Sequence, residues 1–211
     1  MTFHKLIIIN KFMKYTDLEI AVRQPIFSRQ ELSLLGFNIY DYQLSLWVKK
    51  GLLLRFKNGI YAFTRKIKNL KCEEIAYFIY QPSYISLESA LSYYNFIPEM
   101  VYSQTSVTAK INRTFDNIFG RFIYRHIKKE LFWGYQVIST EHGQFLMAEP
   151  EKAILDYLYL NITNIKTSDD FKAIRLNHEQ IGQTLNKSKF TQYLNAFNMP
   201  RMKKWTLLCL Q

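Results

Sequence analysis

The dipeptide Asn58-Gly59 stands between two short β-prone runs, 52–56 and 60–64. Asn and Gly both accept positive φ at low cost, so Lys57-Asn58-Gly59 predicts a tight hairpin. That hairpin follows directly on Tyr40, Leu44, Trp47 and Val48, an apolar set at helical spacing that Gly51 closes. Residues three and four apart share one helix face, so these four are expected to point inward. Tyr42, Ser45, Leu46, Lys49 and Lys50 then fall on the opposite face. Upstream, Pro25-Ile26-Phe27-Ser28-Arg29-Gln30-Glu31 reads as the start of a shorter helix. Ser28 can cap the first-turn amides, and Glu31 stands three residues on, where it can return the bond. Leu32, Leu34 and Leu35 supply the expected apolar face of that helix, and Gly36 suits its left-handed end. Residues 6–21 are expected to provide the remaining helix or helices.

Short helix, turn, second helix, glycine and basic hairpin is the order of a winged helix-turn-helix. In that arrangement the second helix enters the major groove and the hairpin flanks it. Lys49, Lys50, Arg55 and Lys57 are placed to meet phosphates, and Tyr42, Gln43 and Ser45 to bond base edges or phosphates. Ser28, Arg29 and Asn58 complete the candidate DNA-binding set. A protein-binding winged helix with a solvated basic face has the same pattern and stays open at this point.

Charge is distributed unevenly along the chain. Residues 1–70 carry 12 Lys or Arg against 4 Asp or Glu; 71–150 carry 7 against 8, and 151–211 carry 9 against 5. A basic N-terminal third on a near-neutral body fits a small DNA-binding module over 1–68 joined to a second domain over 69–211. The polar run 64–69 marks the expected seam. Hydrophobic residues make up 48% of the 211, the level of a folded chain, and the formal net charge of +11 favours an acidic partner. Cys72 and Cys209 lack metal-ligand spacing and are expected as free thiols in a reducing cytoplasm. Leu6-Ile7-Ile8-Ile9 is too short for a signal-peptide core or a membrane span, so a cytoplasmic protein without membrane attachment is expected.

The second domain reads as α+β, a small antiparallel sheet with helices. Expected helices cover 73–80, then 87–94 with Ser86 as cap, then one opened by Glu149-Pro150-Glu151, and most of 171–211. Expected strands cover 84–85, 106–111, 119–127, 132–140 and 144–148, the last two joined at His142-Gly143. No cofactor or metal is expected. His4, His126, His142 and His178 share no ligand spacing with one another or with either cysteine, and there is no phosphate-binding glycine loop. Glu88, Asp116, Glu149, Glu151 and Lys152 could cluster as a metal-dependent nuclease site; helix capping and turn roles explain the same residues.

Three blocks of the chain resemble the AbiE-type abortive-infection antitoxins of type IV toxin–antitoxin systems. One runs from Phe27-Ser28 through Trp47-Val48-Lys49-Lys50-Gly51-Leu52-Leu53 to Asn58-Gly59-Ile60-Tyr61-Ala62. Another is Tyr84-Ile85-Ser86-Leu87-Glu88-Ser89-Ala90-Leu91-Ser92-Tyr93, and the third is Ala148-Glu149-Pro150-Glu151-Lys152-Ala153-Ile154-Leu155-Asp156-Tyr157. The run Phe122-Ile123-Tyr124-Arg125-His126 lies between these two. The resemblance implies an autorepressor that binds repeats in its own promoter. It also implies a second domain that counteracts a nucleotidyltransferase toxin without a stable complex. Ser86, Glu88, Ser89, Glu149, Glu151, Lys152 and Asp156 are the candidates it offers for that role. Binding rather than catalysis is expected. The alternatives are a ligand-responsive or oligomerising regulator and a nuclease targeted by its winged helix.

Overall fold

In the computed structural model, residues 13–68, 70–141 and 143–209 are described. The expected helical segment 6–12, His4, Asn69 of the seam and His142 of the turn lie outside them. The chain divides into two compact units, Met1–Leu70 and Lys71–Gln211.

The first unit runs α1 (Tyr15–Ala21), β1 (Ile26–Ser28), α2 (Arg29–Leu34), α3 (Asp41–Lys49), β2 (Leu53–Lys57) and β3 (Ile60–Phe63). Its antiparallel sheet has the order β1-β3-β2. Ser28 caps α2 as the sequence predicts: its Oγ accepts from the Glu31 amide at 3.0 Å, and the Glu31 carboxylate accepts from the Ser28 amide at 2.6 Å. The residues just before that cap form β1 rather than a helix approach, pairing Ile26 with Ala62 and Phe27 with Tyr61. Burial explains this, since Ile26 and Phe27 are apolar and fill the core from the sheet.

Leu18, Phe27, Leu32, Leu44, Trp47, Leu53, Tyr61 and Phe63 form that core. Phe27 and Phe63 meet at 4.8 Å between ring centroids, and Tyr15 sets its ring edgewise on Trp47 at 5.9 Å. Leu34 and Leu35 do not join them; they are 81% and 61% exposed, because a helix of six residues buries one stripe and Leu32 occupies it. Tyr40 also lies outside, 57% exposed, one residue before α3 begins. Lys66 folds back on the unit, donating to the Glu19 and Val22 carbonyls at 2.9 Å each, beside the end of α1.

The second unit contains α4 (Cys72–Ile79), β4 (Ser83–Ile85), α5 (Leu87–Tyr93), β5 (Ser103–Thr108), β6 (Arg113–Asn117) and β7 (Gly120–His126). It continues with β8 (Tyr135–Ser139), β9 (Gln144–Ala148), α6 (Pro150–Asn161), α7 (Ser168–Lys172), α8 (His178–Thr184), α9 (Lys187–Phe197) and α10 (Pro200–Cys209). The architecture is mixed α+β. Its sheet differs from the small antiparallel one expected: it has six strands in the order β6-β7-β5-β4-β9-β8, with β5/β7 and β4/β9 parallel. Alternating side chains identify a strand but not the direction of its partner, so sequence could not supply this. β6, absent from the sequence reading, forms a hairpin with β7 and stays largely exposed, which is why its apolar alternation is weak. α4 packs on β4 and β9, and α6 packs on α5, α9 and α10.

Trp47 is 7% exposed and wedged among Leu44, Tyr15 and the sheet. Trp47→Ala should destabilise the first unit by about 3–5 kcal/mol, through lost burial and the cavity left behind. Urea unfolding followed by circular dichroism measures this, and a midpoint equal to the parent's would show that Trp47 does not support the core.

Candidate nucleic-acid interface and a buried polar centre

In the first unit, α3 turns Tyr42, Ser45, Lys49 and Lys50 to solvent, Tyr42 being 70% exposed. α3 packs against β2, whose solvent side carries exposed Arg55. Lys57, half-buried, stands opposite Ile60 at the end of β2, and exposed Asn58 leads into Gly59 at φ +79°. Only Gly59 adopts positive φ there, so the turn needs Gly at its second position and tolerates another residue at the first. The hairpin tip is tied to the start of α2 by the Arg29 amide, which donates to the Gly59 carbonyl at 2.8 Å.

Three of the sequence candidates are occupied within the unit. Gln43 is 6% exposed: its Oε1 accepts from the Tyr40 amide at 3.2 Å and its Nε2 donates to the Met13 carbonyl at 3.1 Å. It closes the base of α3 and is out of reach of a base edge. Ser28 spends its hydroxyl on the α2 cap. Arg29 pairs with Asp41 at 2.7 Å on the surface of the unit. Exposed Arg23, Arg65 and Lys68 add positive charge that the sequence reading left out.

The second unit gathers its candidates differently. Asp156 on α6 is fully buried. Its carboxylate forms an ion pair with Lys152, one turn earlier, and accepts from the Tyr84 hydroxyl at 2.8 Å and the Ser86 hydroxyl at 2.9 Å. The Lys152 ammonium also donates to the Tyr84 hydroxyl at 2.9 Å and lies about 5 Å from the rings of Trp133 and Phe197. Burial pulls the Lys152 ammonium below its ordinary pKa and pushes the Asp156 carboxyl above its own, while their mutual attraction opposes both shifts. Burial and the neighbouring carboxylate hold the Tyr84 hydroxyl protonated well past its usual range, so it remains a donor. Gly134, at φ +74°, passes so close that a Cβ there would meet the Lys152 stem at 3.1 Å.

This overturns the expected role of Ser86 as a helix cap. Its hydroxyl serves Asp156, and Leu87, the first residue of α5, takes φ +58°. Ser86, Lys152 and Asp156 have no exposed surface beyond a trace, so none can touch a partner in the folded state. Glu149 and Glu151 belong to a separate group between α6 and α9. Glu149 accepts from the Tyr193 hydroxyl and pairs with Lys189 at 2.9 Å, and Glu151 accepts from the Asn186 amide at 2.8 Å. Ser89 bonds the Thr105 amide at 2.7 Å on β5. Glu88 is half-buried on α5.

Tyr84, Tyr193 and Lys189 were not among the sequence candidates. Tyr84 was within reach of sequence reasoning, because i and i+2 on a strand share a face and Ser86 follows at that interval. Among the described residues, no group of three or more His, Cys, Asp or Glu could hold a metal ion. None of their helices is long and apolar enough to cross a membrane. Comparison with known families returns no matching family model, and comparison with curated proteins returns no match.

Two outcomes follow, one from each group. Lys152→Met strands a buried carboxylate and should cost about 3–5 kcal/mol, whereas Lys152→Met with Asp156→Leu should recover most of that loss. Denaturant midpoints decide it; a single variant as stable as the parent would mean that the pair carries no structural weight. At Glu149, partial burial acts to raise the carboxyl pKa, but the bonds from Tyr193 and Lys189 outweigh it and leave the pKa lowered. Its stabilising contribution is therefore present above the unfolded value of about 4.3 and lost as pH falls through the lower native one. Glu149→Gln should flatten the acid limb of a stability–pH profile in that window, and an unchanged limb would count against the assignment.

Proposed function

We propose that the first unit is a winged helix-turn-helix that binds double-stranded DNA, and that the protein is a transcriptional regulator. The observation that carries this reading is the exposed face of α3, with Tyr42, Ser45, Lys49 and Lys50, packed beside a hairpin that bears Arg55 and Lys57. An exposed polar helix face supplies groups for base edges, and adjacent cations supply phosphate contacts. In this reading Lys49, Lys50, Arg55 and Lys57 meet phosphates, while Tyr42 and Ser45 face the groove. Gln43 shapes the helix start instead of reading sequence.

The three blocks resembling AbiE-type antitoxins extend the proposal. The protein then represses its own operon at promoter repeats and counteracts a nucleotidyltransferase toxin without forming a stable complex with it. Repression resides in the first unit and antitoxicity in the second, by binding and not by catalysis. The burial of Ser86, Lys152 and Asp156 supports assigning them to the frame of the second unit, leaving the half-buried Glu88 and Ser89 as the candidates of their block with exposed surface.

A variant carrying alanine at Lys49, Lys50, Arg55 and Lys57 tests the DNA reading. Its affinity for promoter DNA should fall on all sequences alike, and the slope of log K against log salt should drop by about one unit per lost phosphate contact. Unchanged affinity and slope would refute the interface. Co-expression with the toxin of a neighbouring gene tests the extension: the same variant, supplied from a foreign promoter, should lose repression yet rescue growth. Failure to rescue would show that the two activities share the nucleic-acid surface.

A further inference from the structure

The helical C-terminal part of the second unit holds a cavity that neither the DNA reading nor the antitoxin resemblance uses. It opens between α7, α8 and α10 and has a volume of about 620 Å³, within the range of small-molecule sites. Its floor is apolar. Phe171 lies there, 5% exposed, stacked on Trp205 with ring centroids 5.5 Å apart and planes 14° from parallel. Leu176 and Leu208 extend the floor, while Ser168, Lys172, Arg175 and His178 form the rim. Two cations and two further hydrogen-bonding side chains thus line one opening, and among the described residues no carboxylate lines it.

The rim cations have surface partners already. Lys172 stands 3.7 Å from Asp169, and Arg175 stands 3.1 Å from Glu99. Lys172, Asp169 and Arg175 are largely solvent-exposed and Glu99 is 44% exposed, and surface pairs of this kind are weak enough to exchange for a better-placed anion. Arg175 bears a second mark. It sits at φ +57°, in the left-handed region that favours glycine, yet the chain carries a long cationic side chain there.

From these features we infer that the cavity binds a small amphipathic anion, its apolar body against Phe171, Leu176 and Leu208 and its charged group held among Lys172, Arg175 and His178. This goes beyond the DNA reading and does not rest on it. The apolar floor selects an apolar body and the rim selects negative charge; a carboxylate and a phosphate satisfy the rim equally.

Titration of the full-length protein with 8-anilinonaphthalene-1-sulfonate, an amphipathic aromatic anion, tests the site by fluorescence. Binding should saturate at one probe per chain. N-phenyl-1-naphthylamine, the same ring system without the charge, should bind at least tenfold more weakly. Arg175→Gly removes the guanidinium and places glycine where the backbone suits it, so Tm should hold while Kd for the anionic probe rises about tenfold or more. Competition separates the two sources of charge: displacement by salicylate assigns a carboxylate, and displacement by adenosine monophosphate assigns a phosphate. Equal affinity for the neutral probe, an unchanged Kd in the glycine variant, or displacement by neither competitor overturns the proposal.

Discussion

Asp156 has no contact with water, and a carboxylate in that position is tolerable only when donors surround it. The second unit is arranged to provide them. Lys152 comes from the same helix, and Tyr84 and Ser86 come from β4 and the residue that follows it. Satisfying one charge therefore fixes α6 against the middle of the sheet. It also constrains what may pass nearby: position 134 favours glycine, because it sits at φ +74° and a Cβ there would press on the Lys152 stem at 3.1 Å. Replacing such a pair with apolar groups of similar volume is often neutral or favourable, so its main effect is on how the helix and sheet register, more than on total stability.

The first unit relies on a different constraint. It buries a small aromatic core and uses backbone bonds to hold its hairpin. The Gly59 carbonyl takes the first amide of α2, so the hairpin tip cannot swing independently of the helix pair. On the proposed DNA-binding reading this is an advantage, since a surface held in place in advance needs little ordering when it binds.

Much of this was legible in the sequence. The Ser28–Glu31 box, the Asn58-Gly59 turn and Pro150 at the start of α6 are local signals, each decided within about one helical turn, and all three act as expected. The errors have a common cause in long-range competition. Ser86 has the form of a cap, but Asp156, distant in sequence, takes its hydroxyl. Gln43 falls on a helix and looks available until the Met13 carbonyl claims it. Leu34 and Leu35 extend an apolar pattern that a two-turn helix has no second face to bury. The i,i+4 spacing of Lys152 and Asp156 was visible, yet nothing local indicates that an ion pair at that spacing is buried instead of solvated.

The parallel pairing of β4 with β9 also bears on how the chain is made. Ile85 of β4 stands against Met147 of β9, so a central strand of the sheet emerges from the ribosome long before its neighbour. Until residue 148 and then α6 follow, Tyr84 and Ser86 have no carboxylate to bind, and β4 presents an unpaired edge. The first unit has no such wait, because every strand of its sheet lies within 26–63. Synthesis therefore delivers the first unit ready to fold while the sheet of the second must remain open for some sixty residues of translation, several seconds at about 5–20 residues per second. That interval is when the nascent chain most needs protection from aggregation, and its length is set by one strand pairing.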